Sequence, residues 1–375
     1  FLQAVGTGIG MGGAVEYSIN VGNGDMPRAK KYFGMSIILL GIFSILFTAL
    51  FLIGAPTVLT WFGASGDIFT QGKEYLLYIS FGAVFQILGT GLVPFIRNMG
   101  GAITAMAAMI AGFVTNIVLD YLFVWVLPWG MMGAAIATVI GQAMTFLVCL
   151  AFFFVKKEKP IFDFGNKKWN FIKRILSVGI SPFGLTFSPN ITLILVNKSA
   201  SIVGGALAVT YYAPISYISS VVMLLMQGVS DGSQPLISSS YGEGKLEHVR
   251  AYRNLAYRFA MAVAIVCMVL LFLLRGNIAA LFGASEQVIL EVVAILPIFL
   301  CGYLFVSFSR VSTAYFYATR KNLLAYILIY GEPLSLFFLL LFVPSVAGGV
   351  IGTWISVPLS QAFAGIIAII LILYN

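Results

Sequence analysis

Eleven apolar stretches, each longer than about 20 residues, follow one another along this 375-residue chain. They occupy about 1–21, 33–60, 72–97, 101–127, 131–155, 172–197, 206–241, 254–281, 287–318, 322–346 and 349–374. A helix rises about 1.5 Å per residue, so about 20 apolar residues match the hydrocarbon core of a bilayer. Apolar residues make up 60% of the chain and charged residues 9%, with a mean hydropathy of +1.02. A soluble domain carries about 25% charged residues. The shortfall excludes a soluble enzyme, a secreted disulfide module, a disordered tail and a coiled coil. The stretches do not alternate apolar and polar positions, which excludes an outer-membrane barrel. The chain reads as an all-α polytopic membrane protein.

The charge balance is +8. On a soluble chain that excess would point to nucleic acid; here it sits in short loops and sets topology. One side receives seventeen basic residues: Arg28, Lys30, Lys31, Arg97, Lys156, Lys157, Lys159, Lys167, Lys168, Lys173, Arg174, Lys245, Arg250, Arg253, Arg258, Arg320 and Lys321. The other side receives Lys73, Lys198 and Arg275, and Arg310 lies within a span. The asymmetry predicts that 22–32, 156–171 and 242–253 are cytoplasmic in a multi-pass protein of the cell membrane. Cys149, Cys267 and Cys301 lie in apolar runs and read as small core residues. The single His248 has no metal-ligand companions. The chain opens in mid-run with Phe1-Leu2-Gln3-Ala4-Val5, with no basic region before it. The expectation is that a further segment precedes Phe1.

The sequence repeats at an offset of 220. Gly8, Gly12, Gly22 and Gly24 match Gly228, Gly232, Gly242 and Gly244; Phe62-Gly63-Ala64-Ser65 matches Phe282-Gly283-Ala284-Ser285; Gly82 matches Gly302. Near the end the offset is 219, with Gly130, Gly133 and Gln142 matching Gly349, Gly352 and Gln361. Six spans separate the two Phe-Gly-Ala-Ser runs, an even number, so the copies insert in the same direction and form a parallel repeat. The expected whole is two six-helix lobes: an N-lobe at 1–155, lacking its first helix and part of the second, a linker at 156–171, and a C-lobe at 172–375. The linker is basic, carries Trp169, and reads as interfacial. Two matched bundles suit alternating access around a central cavity.

At this point motifs carry a resemblance. Gly6-Thr7-Gly8-Ile9-Gly10-Met11-Gly12-Gly13, then Gly22-Asn23-Gly24-Asp25 and Ala29-Lys30-Lys31, resembles the end of the second helix of multidrug and toxic compound extrusion (MATE) transporters. Gln227-Gly228 with Gly232-Ser233-Gln234-Pro235-Leu236 and Tyr241-Gly242 resembles the eighth helix, and Asn116-Ile117-Val118-Leu119-Asp120 the fifth. The resemblance covers essentially the whole chain. It implies a twelve-helix exporter of amphipathic organic cations driven by a proton or sodium gradient, with no cofactor beyond that H⁺ or Na⁺ and no enzymatic activity. The expected partners are a drug-like small molecule and the lipid bilayer, not nucleic acid, and the expected state is a monomer.

An ionisable side chain at bilayer depth is costly unless paired or hydrated, so each is a functional candidate. In the second half, Asp231, Arg310 and Glu332 lie at one depth, about 15 Å from the cytoplasmic side. They predict a cluster with Arg310 between the two acids, and Gln234 is grouped with them. The cluster is either a buried ion pair that fixes helix packing or a cavity wall that responds to a cation or proton. Asp120 has no basic companion within the spans of its half apart from Arg97 at a helix end. Asn116 lies one turn before it on the same face, and Thr138 in the next span can add a hydroxyl. Carboxylate, amide and hydroxyl oxygens suit Na⁺ or a proton relay, and the resemblance assigns the fifth-helix Asn and Asp and the sixth-helix Thr to such a site. Its fourth member, an Asp on the first helix, would precede Phe1. The repeat equivalent of Asp120 is Leu340, so this site is single. The second half lacks the seventh-helix acid found in some branches of the family, and its tenth span carries Arg310.

Other signals are weaker. Glu16 is expected to pair with Arg97 or a loop lysine. Pro94, Pro182, Pro189, Pro214, Pro235, Pro297, Pro333 and Pro358 mark bends within spans, and Pro182 with Pro189 suggests a helix that bends. Tyr211, Tyr212 and Tyr217 are candidate cavity aromatics for flat cations. The glycine run 6–13 lacks the strand that a nucleotide loop requires and reads as close helix packing. No Walker pattern occurs, so ATP is not the expected energy source. A lipid-linked saccharide flippase of the same architecture is the competing function. It would be expected to carry several cavity arginines for pyrophosphate, where this chain has one.

Overall fold

Helix fills each of the eleven apolar stretches in the computed structural model, which describes every residue except Phe62, Ala64, Phe282, Ala284 and Asn375. The elements are α1 (Leu2–Gly22), α2 (Met26–Trp61), α3 (Gly66–Asn98), α4 (Ala102–Asp120), α5 (Gly130–Lys156), α6 (Lys168–Gly242), α7 (Leu246–Leu273), α8 (Arg275–Leu281), α9 (Glu286–Leu300), α10 (Tyr303–Ala318), α11 (Asn322–Val346) and α12 (Val350–Leu373). No strand occurs among the described residues.

Among the described residues, eight helices are long and apolar enough to cross a membrane, or nine if α9 and α10, bent by 45°, form one span. The sequence predicts eleven. One difference is α1, whose glycines, Glu16 and Asn20 dilute its apolarity. The other is α6, in which two helices meet at a kink at Gly205, each of them long enough for one crossing. The loop expected between 197 and 206 is helical up to a break at Gly205 (φ 67°, ψ −163°). That conformation is open to glycine at little steric cost. Pro182 and Pro189, by contrast, keep helical backbone angles.

By its contacts the chain divides into two units, Phe1–Thr186 and Phe187–Asn375, and the division falls inside α6. The core of the first unit gathers Phe33, Phe95, Ile87, Ile96, Phe152 and Ile175; that of the second gathers Tyr212, Leu296, Phe299, Tyr303, Leu336 and Trp354. Outside these cores the surface stays apolar, as lipid requires: Ile45, Ile53, Ile103, Phe113, Leu290 and Phe342 are all exposed. Cys149 is buried as expected, whereas Cys301, at the bend between α9 and α10, is exposed, which corrects its assignment to the core.

The repeat is written into the backbone as well as the sequence. Gly24 and Gly244, at an offset of 220, share φ near +79° and +75°; Gly63 and Gly283 share +76° and +65°; Gly100 and Arg320 share +81° and +63°. Ser65 and Ser285 cap α3 and α9 in extended conformation. At an offset of 219, Gly130 and Gly349 turn the chain into α5 and α12 with φ of +59° and +68°. In the second copy of the first turn, Lys245 Nζ lies 2.7 Å from Glu243, and its hydrogen bond holds the Glu243 carboxyl below the usual carboxylate range. Phe62, Ala64, Phe282 and Ala284, which carry part of the sequence match, lie outside the described residues.

The glycine run of α1 packs on two faces. A Cβ on Gly10 would strike Gly91 O of α3, and one on Gly13 would strike Ser36 Oγ of α2. On the other face, Gly8 and Gly12 meet the opening turns of α6: a Cβ on Gly8 would lie 3.0 Å from Gly179 O, and one on Gly12 would strike Ile175 O. Helices approach this closely where a glycine at the crossing removes the side chain that would hold them apart. The segment 157–164 closes the same end of the unit. Ile161 N–H donates to Lys30 O at 3.1 Å, and Lys30 pairs with Glu158 at 3.8 Å. Two stretches that the charge asymmetry assigns to one side of the membrane thus sit together.

Candidate functional site

Small residues set the crossing of α4 and α5. A Cβ on Gly141 would lie 2.7 Å from Gly112 O and 2.9 Å from Asn116 Cβ, and one on Gly112 would strike Thr145 Oγ1. This approach brings the amide of Asn116 to Thr138: Asn116 Nδ2 donates to Thr138 Oγ1 at 3.4 Å. The hydroxyl spends its own proton on Ala134 O at 2.9 Å, so its lone pairs face the amide. One turn further, the Asp120 carboxylate lies close to the Asn116 side chain. Its Oδ1 is buried and has no hydrogen-bond partner among the described residues. The three residues that the sequence singles out therefore form one chain of oxygens and an amide with an acceptor left over.

The backbone changes at this same point. Tyr121–Val126, directly after Asp120, is a π-helical turn in which Leu127 N–H reaches back to Leu122 O at 2.9 Å. The turn closes with Trp129 N–H on Phe123 O at 2.8 Å and the stacked rings of Phe123 and Trp129, 4.8 Å apart. Such bulges recur at functional sites because they widen the helix and re-aim its side chains. The repeat equivalent, at the end of α11, is ordinary α-helix. Sequence reading missed the bulge. The available hint is Pro128, which disfavours helical geometry at Leu127 but does not specify a π turn.

In the second unit, Arg310 is 5% exposed and lies within electrostatic reach of both Glu332 and Asp231. Arg310 and Glu332 line a cavity of about 100 Å³ with Asn190, Tyr212, Ser219, Tyr303 and Gln361. Ser219 and Tyr303 share a hydroxyl hydrogen bond of 3.1 Å. Gln361 is 4% exposed, and its Oε1 has no hydrogen-bond partner among the described residues. Asp231 and Gln234 stand outside this lining. Asp231 accepts from Gln227 Nε2 at 2.9 Å. Gln234 is fully buried and donates to Ser238 Oγ at 2.8 Å, and Ser238 bonds Ala318 O at 3.4 Å. Of the candidate tyrosines, Tyr212 lines the cavity and stacks on Trp354 at 5.5 Å. Tyr211 lines a different pocket, and Tyr217 is 65% exposed. Gln361 carried no role in the sequence reading beyond its match to Gln142, whose Oε1 is likewise buried without a partner among the described residues.

Glu16 is fully buried, and Arg174 pairs with it: Nε donates to Oε1 at 2.8 Å. The sequence reading named Arg97 or a loop lysine for this acid and did not include Arg174. The opening turns of α6 pack along α1 and carry Arg174 onto Glu16, a proximity that sequence distance conceals. Among the described residues there is no cluster of His, Cys, Asp and Glu that could hold a metal ion.

The MatE family model matches residues 1–122 and 182–339. Multidrug export protein MepA of Staphylococcus haemolyticus (strain JCSC1435) is 24% identical over 326 residues, covering 86% of this chain and 71% of the relative. MepA of Staphylococcus aureus (strain MSSA476) is 23% identical over 293 residues, covering 77% of this chain and 64% of the relative. The chain thus spans roughly two thirds of the length of these curated relatives. Among solved structures, a MOP superfamily transporter from Pyrococcus furiosus superposes with a TM-score of 0.92 at 24% identity, covering 99% of this chain and 84% of that one. An outward-facing multidrug resistance MATE family transporter gives 0.92 at 22% identity with the same coverages. At these identities the likeness concerns the fold.

Proposed function

The chain belongs to the MatE family, whose members are transporters rather than enzymes, and from that premise we propose that it is a secondary active exporter. Its cargo is amphipathic or cationic drugs and toxic organic compounds. It exchanges them for H⁺ or Na⁺ by alternating access between an N-lobe (1–155) and a C-lobe (172–375) joined by the 156–171 linker. The names of the relatives support export of drugs.

The observation that carries the coupling role is the orphaned Oδ1 of Asp120. A buried carboxylate oxygen without a partner is expensive, and it is retained where it binds something that comes and goes. Beside it, Asn116 and Thr138 supply neutral oxygens and an amide, a donor set suited to a dehydrated monovalent cation or to a relayed proton. The cavity of Arg310 and Glu332 in the second unit supports a separate role in binding cargo, with Tyr212 as an aromatic face. The flippase alternative would need several cations to hold a pyrophosphate, and this cavity has one arginine offset by a glutamate.

The test is efflux of ethidium-like dyes by cells expressing the protein, with proton and sodium ionophores added singly. Collapse of efflux by one ionophore is the expected result and names the coupling ion. Efflux that persists through both, or cells that retain dye as controls do, removes the reading.

A further inference from the structure

We propose that the first unit carries a specific site for an anionic phospholipid, held by its acyl chain between α2, α3 and α5 and by its headgroup at Lys157 and Lys159. A groove of about 520 Å³ opens there. Its walls are Phe33 and Ile37 of α2, Leu88 and Leu92 of α3, and Phe146 and Leu150 of α5. Phe33 and Phe153, with ring centroids 5.0 Å apart, shape one side. From Phe146 to Lys157 the wall runs for about 16 Å along α5, the length of a dozen or so methylenes. A groove this long and this apolar, in a protein that crosses a membrane, takes acyl chain.

The rim makes the site selective. Lys157, Glu158, Lys159 and Pro160 close the groove at the end where α5 stops. Glu158 is already engaged by Lys30 at 3.8 Å. Lys157 and Lys159 have no ion-pair partner among the described residues, and both are exposed. Two uncompensated cations at the mouth of an acyl groove complement a lipid that is negative at the headgroup and apolar below it. A zwitterionic lipid offers the chain without the net charge, and a free phosphate offers the charge without the chain. The backbone at Lys157 is left-handed (φ 52°, ψ 29°), a conformation that favours glycine. A lysine is kept there at some conformational cost. The segment that presents the two lysines also ties down α2 through the Ile161 N–H to Lys30 O bond, so a lipid seated here braces the start of the linker. This site is independent of what the protein exports.

Native mass spectrometry and thermal unfolding of the full chain in neutral detergent test the site. The probes are dioleoyl-phosphatidylglycerol, dioleoyl-phosphatidylcholine and glycerol phosphate. Phosphatidylglycerol should bind and raise the melting temperature, phosphatidylcholine should bind more weakly, and glycerol phosphate should not bind. Near a membrane surface each lysine contributes about a fivefold factor, so Lys157→Gln with Lys159→Gln should weaken phosphatidylglycerol roughly thirtyfold. Arg28→Gln with Lys31→Gln, which removes the same charge from the same end, should leave that affinity in place. Leu150→Trp, which fills the groove, should abolish binding of both lipids. Equal affinity for the two lipids, equal losses in the two charge variants, or binding of glycerol phosphate alone would each overturn the proposal.

Discussion

Arg174 Nε donates to Glu16 Oε1 at 2.8 Å across the packing of α1 against the start of α6. The carboxylate is fully buried, while the guanidinium side chain is 36% exposed. The pair is therefore asymmetric, and so are the consequences of breaking it. Arg174→Ala withdraws a cation from a carboxylate that cannot reach water, and should cost about 3 kcal/mol. Glu16→Gln removes the buried charge and leaves an arginine that can turn to solvent, and should cost about 1 kcal/mol. Thermal unfolding in detergent checks the order. Equal shifts for the two variants would show that the carboxylate does not depend on Arg174.

The glycines of the repeat give a paired test. Gly12 and Gly232 are equivalent in sequence, yet a Cβ on Gly12 would strike Ile175 O, whereas Gly232 has nothing within 4 Å of that point. Gly12→Ala should therefore force α1 from α6 and cost more than about 2 kcal/mol. Gly232→Ala should be neutral or stabilising by up to about 1 kcal/mol through helix propensity. Melting temperatures of the two variants provide the comparison. Destabilisation of equal size at both positions would contradict the asymmetry.

Those glycines also show how far the sequence reached. The repeat was legible because turns demand glycine: Gly24, Gly63 and Gly130 sit at positive φ, and so do Gly244, Gly283 and Gly349 at offsets of 220, 220 and 219. The Asn116, Asp120 and Thr138 grouping was legible because spacing along one helix fixes a face and the next span follows closely. The contact of Arg174 with Glu16 was not, because contact between α1 and α6 depends on a close glycine crossing over a long sequence distance. The π turn at Tyr121–Val126 was hidden for another reason, since its residues are ordinary membrane apolars with no propensity against α-helix. Gln361 was visible only as a match to Gln142; that its oxygen lacks a partner is a fact of three-dimensional packing.

Coupling at Asp120 predicts a graded series. Asp120→Asn keeps the shape and removes the charge, so dye transport in proteoliposomes should lose its response to an imposed H⁺ or Na⁺ gradient. Asn116→Ala and Thr138→Ala remove one neutral ligand each and should raise the ion concentration for half-maximal transport roughly tenfold, at about 1.4 kcal/mol for each. Leu340, the repeat equivalent of Asp120, has no such role, and Leu340→Ala should leave the gradient response as it is. A full gradient response in Asp120→Asn would remove the coupling assignment.

The cavity of the second unit separates a packing role from a binding one. Arg310 and Glu332 face the same space as the unpartnered Gln361 Oε1. Arg310→Ala strips the cation from the half-buried Glu332 carboxylate and should reduce transport whichever role holds, so it does not discriminate. The exchange Arg310→Glu with Glu332→Arg does, because it preserves the pair while moving the positive charge from α10 to α11. If the pair only fixes packing, the exchanged protein transports normally; with a cargo-binding cavity, it folds to a similar melting temperature and transports poorly. Gln361→Leu sharpens the distinction. It deletes an acceptor that makes no hydrogen bond within the described protein, so stability should change by less than about 1 kcal/mol. Transport should nevertheless fall, since that oxygen is placed to meet a donor on the cargo or its water. Unchanged transport in both variants would return the cluster to a purely structural role.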